Sequence, residues 1–317
     1  MRLIFASLML ASLASVRSQD LNSTIVGCVE VGCPASTVSK TDDNCTVAGG
    51  SYSYVGLARV PTTQENLKGL SWTKGSGAAL NQSFQTSFFL GTPPNLNLSN
   101  TGACSVFLHG VSKTLLFGGD SETSQGTCAD AMGSACVDAL LDRARSVFKG
   151  SNTNSTSSAD LCSALQDDLE KNMDNACQSK SQGSWTNLTS TALTGNGSPQ
   201  PISAKDNSTS TCWPVLPKQY ELTHVTDHTV ATSIYLQDIK AALFAITPVL
   251  TVFYPNGEGS VVSDIDASLT CLKVVGPERA SLATMDDGSN GSAVSSSPTP
   301  TILVAAVALL VVFFMGG

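Results

Sequence analysis

Ten cysteines set the first limit on what this chain can fold into. All of them lie between Cys28 and Cys271, the count is even, and no two form a Cys-x-x-Cys pair. In an oxidising compartment such a set is expected to be disulfide-bonded. The missing Cys-x-x-Cys spacing and the scarcity of histidine argue against zinc, and no metal or other cofactor is expected. A framework of this kind belongs to a secreted chain, so the two ends of the sequence carry the next argument.

The chain begins MRLIFASLMLASLASVRSQD. Arg2 supplies a positive start, Leu3–Ala14 an apolar stretch, and Val16-Arg17-Ser18 a cleavage site. Residues 1–18 are the expected signal peptide, with a cut after Ala14 as the alternative. The chain ends TILVAAVALLVVFFMGG, with no charged or polar side chain from Ile302 to Met315. As a helix that stretch would be about 21 Å long at ~1.5 Å per residue, short of a bilayer core of ~30 Å. No charged residue follows Asp287, whereas a spanning helix carries Lys or Arg on its cytoplasmic side. The preceding DDGSNGSAVSSSPTP is small and polar. Small cleavage site, polar spacer and apolar tail together make a GPI-attachment signal. Asn290 is the expected attachment residue, with Ser289 and Asp287 as alternatives, and 291–317 would be removed. A retained tail anchor and a buried helix are the competing readings. The GPI reading places the chain on the extracellular face of the plasma membrane, with the cell wall as a further destination.

The mature chain would be 19–290, or 272 residues, long enough for one large or two modest domains. Losing Arg2 and Arg17 leaves 15 basic against 25 acidic side chains, a net charge of −10. Such a surface repels phosphate backbones, which excludes nucleic acid as a partner. N-glycosylation sequons stand at Asn22, Asn44, Asn81, Asn97, Asn154, Asn187, Asn196 and Asn207. Cys45 inside the Asn44 sequon and Pro199 after the Asn196 sequon disfavour those two.

Residues 20–118 are rich in short Val, Tyr, Phe and Thr runs bounded by Gly, Pro and Asn, the pattern of strands. Residues 129–149 change period: Cys136, Leu140, Ala144, Val147 and Phe148 fall on one helical stripe, and Gly150 is a stop. A second helix is expected over 159–178, with Cys162, Leu165, Leu169, Met173 and Ala176 as its stripe. The short polar connection between them suggests an antiparallel hairpin. Folding that hairpin about residue 152 brings Cys128 near Cys177 and Cys136 near Cys162, and these two nested disulfides are the expected pairs. Cys28, Cys33, Cys45, Cys104, Cys212 and Cys271 stay unassigned. The 179–211 stretch is low in complexity and carries three sequons, so it reads as a glycosylated surface loop or linker. Strands are expected again beyond it, with Asn256-Gly257 as a hairpin signal. The fold class is therefore α+β: a disulfide-stabilised, β-rich ectodomain over 19–290 with a central antiparallel helical hairpin at about 129–178. A split into two domains at 179–211 is the alternative.

Catalytic signals are weak. His224 and His228 stand four apart, but in an alternating Thr/Val segment, so a strand would hold them ~13 Å apart, too far for one metal ion. FGGDSETSQG (117–126) resembles the nucleophile block of GDSL-type hydrolases through Gly-Asp-Ser. Glu122 follows Ser121 where that family has an aliphatic residue, and no His here has Asp three residues before it; a turn is the plainer reading. Asp264 and Asp266 would share a face if 260–272 were one strand. Asp167, Asp168 and Glu170 fit a solvated helix face. Trp72, Trp185 and Trp213 could stack on sugar rings, with Trp72 in GLSWTKGSG the preferred contact, although core packing is the commoner fate of a tryptophan.

GLSWTKG (69–75), SFFLGTPP (87–94), TGACSVFLHG (101–110) and SQGTCADAMGSACVDALLDRA (124–144) together resemble a family of GPI-anchored, cysteine-rich cell-surface proteins of filamentous fungi. The resemblance covers roughly 28–145. It implies secretion, anchoring and disulfides, and it carries over no catalytic residue. The expected function is a non-enzymatic surface or cell-wall glycoprotein with a structural, adhesive or ligand-binding role, and cell-wall polysaccharide is the candidate partner. The alternative is a secreted, GPI-anchored carbohydrate-active enzyme using paired carboxylates. Phosphatidylinositol-specific phospholipase C is expected to release the protein from intact protoplasts. Mass spectrometry of the released chain should find no Phe313–Phe314, and their retention would overturn the anchor reading.

Overall fold

The runs of Val, Phe, Tyr and Thr form strands, as β-branched and aromatic side chains favour. The computed structural model describes residues 25–33, 45–79, 83–111, 115–151, 153, 156–181, 185–231 and 236–276. The expected signal peptide, the expected anchor signal with its candidate attachment residues Asp287, Ser289 and Asn290, and the sequons at Asn22, Asn44, Asn81 and Asn154 lie outside them.

One antiparallel sheet takes β3 (Tyr54–Arg59), β4 (Ser71–Ala79), β5 (Ser83–Thr92) and β8 (Glu221–Ala231), in that order. A second takes β10 (Asp266–Leu272), β9 (Thr247–Pro255), β6 (Thr101–Leu108) and β7 (Leu188–Ala192). A hairpin of β1 (Cys45–Val47) and β2 (Gly50–Tyr52) forms a separate two-stranded sheet that packs on the first. The helices are α1 (Cys128–Met132), α2 (Ser134–Gly150), α3 (Ser158–Lys171), α4 (Ala204–Asn207) and α5 (Leu236–Leu243). Each large sheet mixes strands from before and after 179–211. That weaving leaves no place for a domain split there, and the stretch itself supplies β7 and α4.

Side-chain alternation along the strands separates the layers. The Trp72 indole on β4 packs edge-on against Phe107 of β6, and its Nε1 donates to the Thr251 hydroxyl on β9 at 2.9 Å. This face joins the two sheets. The opposite face of β6 and β9 carries Cys104 and Tyr254, which meet the helices. The outer face of the first sheet, with Val55, Leu57 and Phe89, is covered by Val26, Val31, Val47, Tyr52, Val215 and Leu222. Gly56 allows the close approach of the chain after β10: a Cβ there would lie 1.8 Å from the Lys273 carbonyl oxygen.

The expected helical hairpin is corrected. The molecule is mostly β-sheet, and 129–178 is not a central two-helix hairpin, although Cys136–Cys177 and the Arg143–Asp168 pair link its parts. It is broken into α1, α2, α3 and a short 3-10 turn at Asn175–Cys177. α2 lies on β10 and β9, while α3 lies on β6 and β7. Their apolar stripes are real, with Cys136, Leu140, Ala144 and Phe148 buried on α2 and Leu161, Cys162, Leu165 and Leu169 on α3. A stripe shows that a helix has a buried face; it does not name the surface that buries it.

The disulfide pairing is corrected for the same reason. The bonds are Cys136–Cys177, Cys104–Cys162, Cys128–Cys271 and Cys45–Cys212. Cys162 faces β6 and meets Cys104, and Cys128 on α1 sits over β10 and meets Cys271. Neither Cys128–Cys177 nor Cys136–Cys162 forms. The Asn256-Gly257 signal is also corrected: β9 and β10 do pair antiparallel, but through residues 256–265 rather than a two-residue turn.

Three of these bonds fasten distant segments. Replacing Cys104 and Cys162 together by Ser is expected to lower unfolding stability by about 2–4 kcal/mol. Denaturant titration of the secreted ectodomain measures the change, and peptide mapping of the wild-type chain without reduction should recover Cys104 joined to Cys162.

Candidate functional site

The segment entering β8 is tethered from several directions. Its sequence, CWPVLPKQYE (212–221), has two prolines and can supply few ladder donors, so side chains hold it instead. Cys212 is bonded to Cys45, and the Thr73 hydroxyl donates to the Pro214 carbonyl at 2.7 Å. Arg59 donates to the carbonyls of Gly69 and Leu216 and stacks over the Tyr220 ring. Gly69 has φ +100°, and a Cβ there would come within 2.9 Å of the Tyr220 hydroxyl. Lys218 donates to the Val31 and Trp213 carbonyls. The Trp213 Nε1 donates to the Tyr220 carbonyl at 3.0 Å, which fixes the half-buried indole.

Beside this segment runs a cleft of about 410 Å³, lined by Pro201, Ile202, Trp213, Tyr220 and Glu221 among others. A second cleft of about 370 Å³ shares Pro201 and Glu221 with it and extends past Thr92, Asn97, Thr194 and Gln200. The two clefts adjoin at Pro201 and Glu221, with Trp213 and Tyr220 lining the first and hydroxyl and amide groups lining the second, and together they make the groove. Fixed aromatic faces beside a few polar groups suit a neutral, hydroxylated ligand. Among the described residues lining the groove, Glu221 is the one carboxylate. Two-carboxylate glycoside hydrolysis needs a second one facing it.

A second polar cluster lies between the sheets. Lys74 on β4 is buried and donates to the Ala245 carbonyl at 2.8 Å and the Thr247 hydroxyl at 3.2 Å. Burial, and then the charge of Lys273, push its ammonium down to about 7. Lys273 donates to the Ser121 carbonyl and the Ser124 hydroxyl; burial pushes it down to about 8, against the pull of Asp120 and Glu122. The His109 ring, just past β6, stacks on His228 of β8 with centroids 3.8 Å apart. Burial, then His228 and Lys74, hold His109 down at about 3, and His228 is lowered by burial and by Lys74. An amine near neutrality can serve as a nucleophile. Lys74, however, is enclosed and occupied by two acceptors, so it acts as an internal crosslink.

The structure redistributes the residues singled out by sequence. Trp72, the preferred sugar contact, is fully buried, and its inter-sheet hydrogen bond is its role; this expectation is corrected. Trp185 is also buried, whereas Trp213 reaches the groove. His224 and His228 do share a strand, but a bulge at Val225 sends them to opposite faces. His224 packs on Phe89 and bonds Asp227, while His228 turns inward. The Gly-Asp-Ser stretch is a turn in which the Asp120 carboxylate accepts from the Glu122 and Thr123 amides. Asp264 precedes β10 and is exposed; Asp266 opens it, is buried, and accepts from the Thr62 hydroxyl. Asp168 pairs with Arg143, Asp167 with Lys171, and Glu170 accepts from Gln166. The sequon asparagines Asn97, Asn187, Asn196 and Asn207 are all exposed, and Asn97 and Asn207 border the groove. Sequence reasoning passed over the groove itself; its available signal was an aromatic pair, Trp213 and Tyr220, bracketing two prolines. No protein-family model, curated protein or solved structure matches this chain.

The histidine pair generates a pH dependence. Both folded values lie below the unfolded one of ~6.5, so the unfolded chain binds more protons as pH falls and stability drops with it. The melting temperature is expected to fall between about pH 6.5 and pH 4.5, above the range where carboxylates titrate. His109→Phe, which keeps the ring stack without a titrating nitrogen, should flatten that drop; an unchanged slope in calorimetry would refute the assignment.

Proposed function

We propose that this chain is a GPI-anchored cell-surface or cell-wall glycoprotein that binds neutral polysaccharide in the groove beside Trp213. The observation carrying the binding part is the Trp213 indole, fixed by its bond to the Tyr220 carbonyl, lining a cleft that adjoins one lined with hydroxyl and amide groups. Rigid aromatics lose little conformational freedom on binding, which favours an extended hydroxylated chain over a small charged metabolite. The acidic balance of the chain argues against an anionic ligand, and the Lys218 ammonium in the cleft lining is already held by two carbonyls. The single carboxylate of the groove, Glu221, favours binding over hydrolysis.

Placement supports the same reading. Thr92, Arg59 and Glu221 lie together at one end of the first sheet. The described chain leaves from the other end, where Val275 bridges Val55 near the start of β3. An anchor attached beyond Gly276 would be joined to the chain at the end of this sheet opposite the groove. Glycans on Asn97 and Asn207 would frame its entrance, and the exposed sequons favour a secreted, glycosylated chain.

A glycan array probed with the soluble 19–289 ectodomain is expected to report neutral β- or α-glucan, mannan or chitin oligosaccharides. Trp213→Ala should weaken the bound class about tenfold, the worth of ~1.4 kcal/mol. His224→Ala, outside the groove, should leave binding intact. Failure of the wild-type protein to bind any glycan, or equal binding by Trp213→Ala, would remove the proposal.

A further inference from the structure

We infer that Cys33, Cys45 and Cys212 form a thiol–disulfide exchange site in which the Cys33 sulfur displaces Cys45 from Cys212. The three sulfurs lie within 4.8 Å of one another. Cys45 and Cys212 are bonded, and the Cys33 Sγ stands 3.0 Å from the Cys212 Sγ, at the range of a nucleophile touching its target. Because two of the three are already bonded to each other, the cluster offers no set of thiolates for a metal; its chemistry is exchange.

The fold brings them together from three separate places. Cys33 closes a turn in which its amide donates to the Cys28 carbonyl at 2.8 Å, with Gly32 at φ +66° completing the reversal. Cys45 opens β1. Cys212 begins the tethered segment that carries Trp213, and its amide and that of Thr211 donate to the Thr46 carbonyl. Cys45 and Cys212 are buried, whereas Cys33 is half-exposed and is the sulfur that solvent base can reach. Lys218 supplies a nearby positive charge: its ammonium is held by the Val31 carbonyl, in the turn that carries Cys33, and by the Trp213 carbonyl, next in sequence to Cys212. Burial lowers the Lys218 ammonium, and its proximity to Cys33 opposes that effect.

The step balances without an outside oxidant. Cys33 loses its proton to solvent, and its thiolate attacks the adjacent Cys212 sulfur. That bond breaks as Cys33–Cys212 forms, and Cys45 leaves as a thiolate that takes up a proton. One disulfide and one thiol are present before and after. The consequence is a choice of tether for the groove segment. In one state Cys212 is fastened to the β1–β2 hairpin; in the other it is fastened to the 27–33 turn, on the side of Lys218.

The full secreted ectodomain tests this, with free thiols blocked by N-ethylmaleimide in acid and peptides mapped without reduction. After incubation at mildly alkaline pH, wild type is expected to yield both Cys45–Cys212 and Cys33–Cys212 peptides, the loss of one matched mole for mole by the other. Cys33→Ser should yield Cys45–Cys212 alone. Cys45→Ser should join Cys33 to Cys212 and leave Cys212 unlabelled. Wild type showing Cys45–Cys212 alone at every time, with Cys33 labelled throughout, overturns the inference. So does a folded Cys45→Ser in which Cys212 is fully labelled. Should Cys45→Ser fail to be secreted, the comparison of wild type with Cys33→Ser decides.

Discussion

The two sheets meet across a layer that is unusually polar for a sandwich interior, and the Trp72–Thr251 hydrogen bond sits at its centre. Ser76, Thr86, Ser105, Thr251, Ser268 and Thr270 are all buried, together with Lys74. Buried polar groups are costly unless they find partners, so the layer tolerates little change of register. Trp72, Phe88 and Phe107 supply the apolar contact that offsets this cost. A one-residue slip of β4 would turn Trp72 outward and bring Thr73, which holds the Pro214 carbonyl, inward. The inter-sheet contact and the groove segment are thus set by alternate residues of one strand.

That coupling explains why the groove is rigid although it is built from a proline-bearing connection. Arg59, Thr73 and Cys45 each reach outward from the hairpin and sheet to hold 212–220. Lys218 joins the same segment to the N-terminal turn. The exchange site lies within this set of tethers, next to Trp213. A change of disulfide partner there would act on the cleft lined by Trp213 and leave the inter-sheet layer alone.

Local patterns in the sequence were informative where one short stretch contains the whole cause. The strands at β3, β5 and β6 follow from their Val, Tyr and Phe runs, and the α2 and α3 stripes from spacings of three and four. The cysteine-rich composition matched extensive disulfide bonding, with four bonds formed. Failures came wherever the cause lay across the chain. The helical stripes face β6, β7, β9 and β10, which are distant in sequence, so pairing the two helices to each other misassigned every bond between them. The bulge at Val225 shifts alternation by one residue, and nothing in THVTDHTV marks it. Trp72 and Trp213 are alike as letters; one is covered by a second sheet and the other borders a groove.

By itself the sequence determined that the chain is rich in strands and cysteines, that its two ends are apolar, and that two helices with buried faces interrupt the strand pattern. Those properties depend on periodicity, composition and spacing, which act over a few residues. The tertiary structure alone decided which faces meet, which cysteines bond, and which tryptophan is available to a ligand. These depend on contacts between residues a hundred or more positions apart, as in Cys45–Cys212, Cys128–Cys271 and Trp72–Thr251. Such contacts are chosen by the packing of whole sheets, and a linear pattern holds no record of which surface another surface will cover.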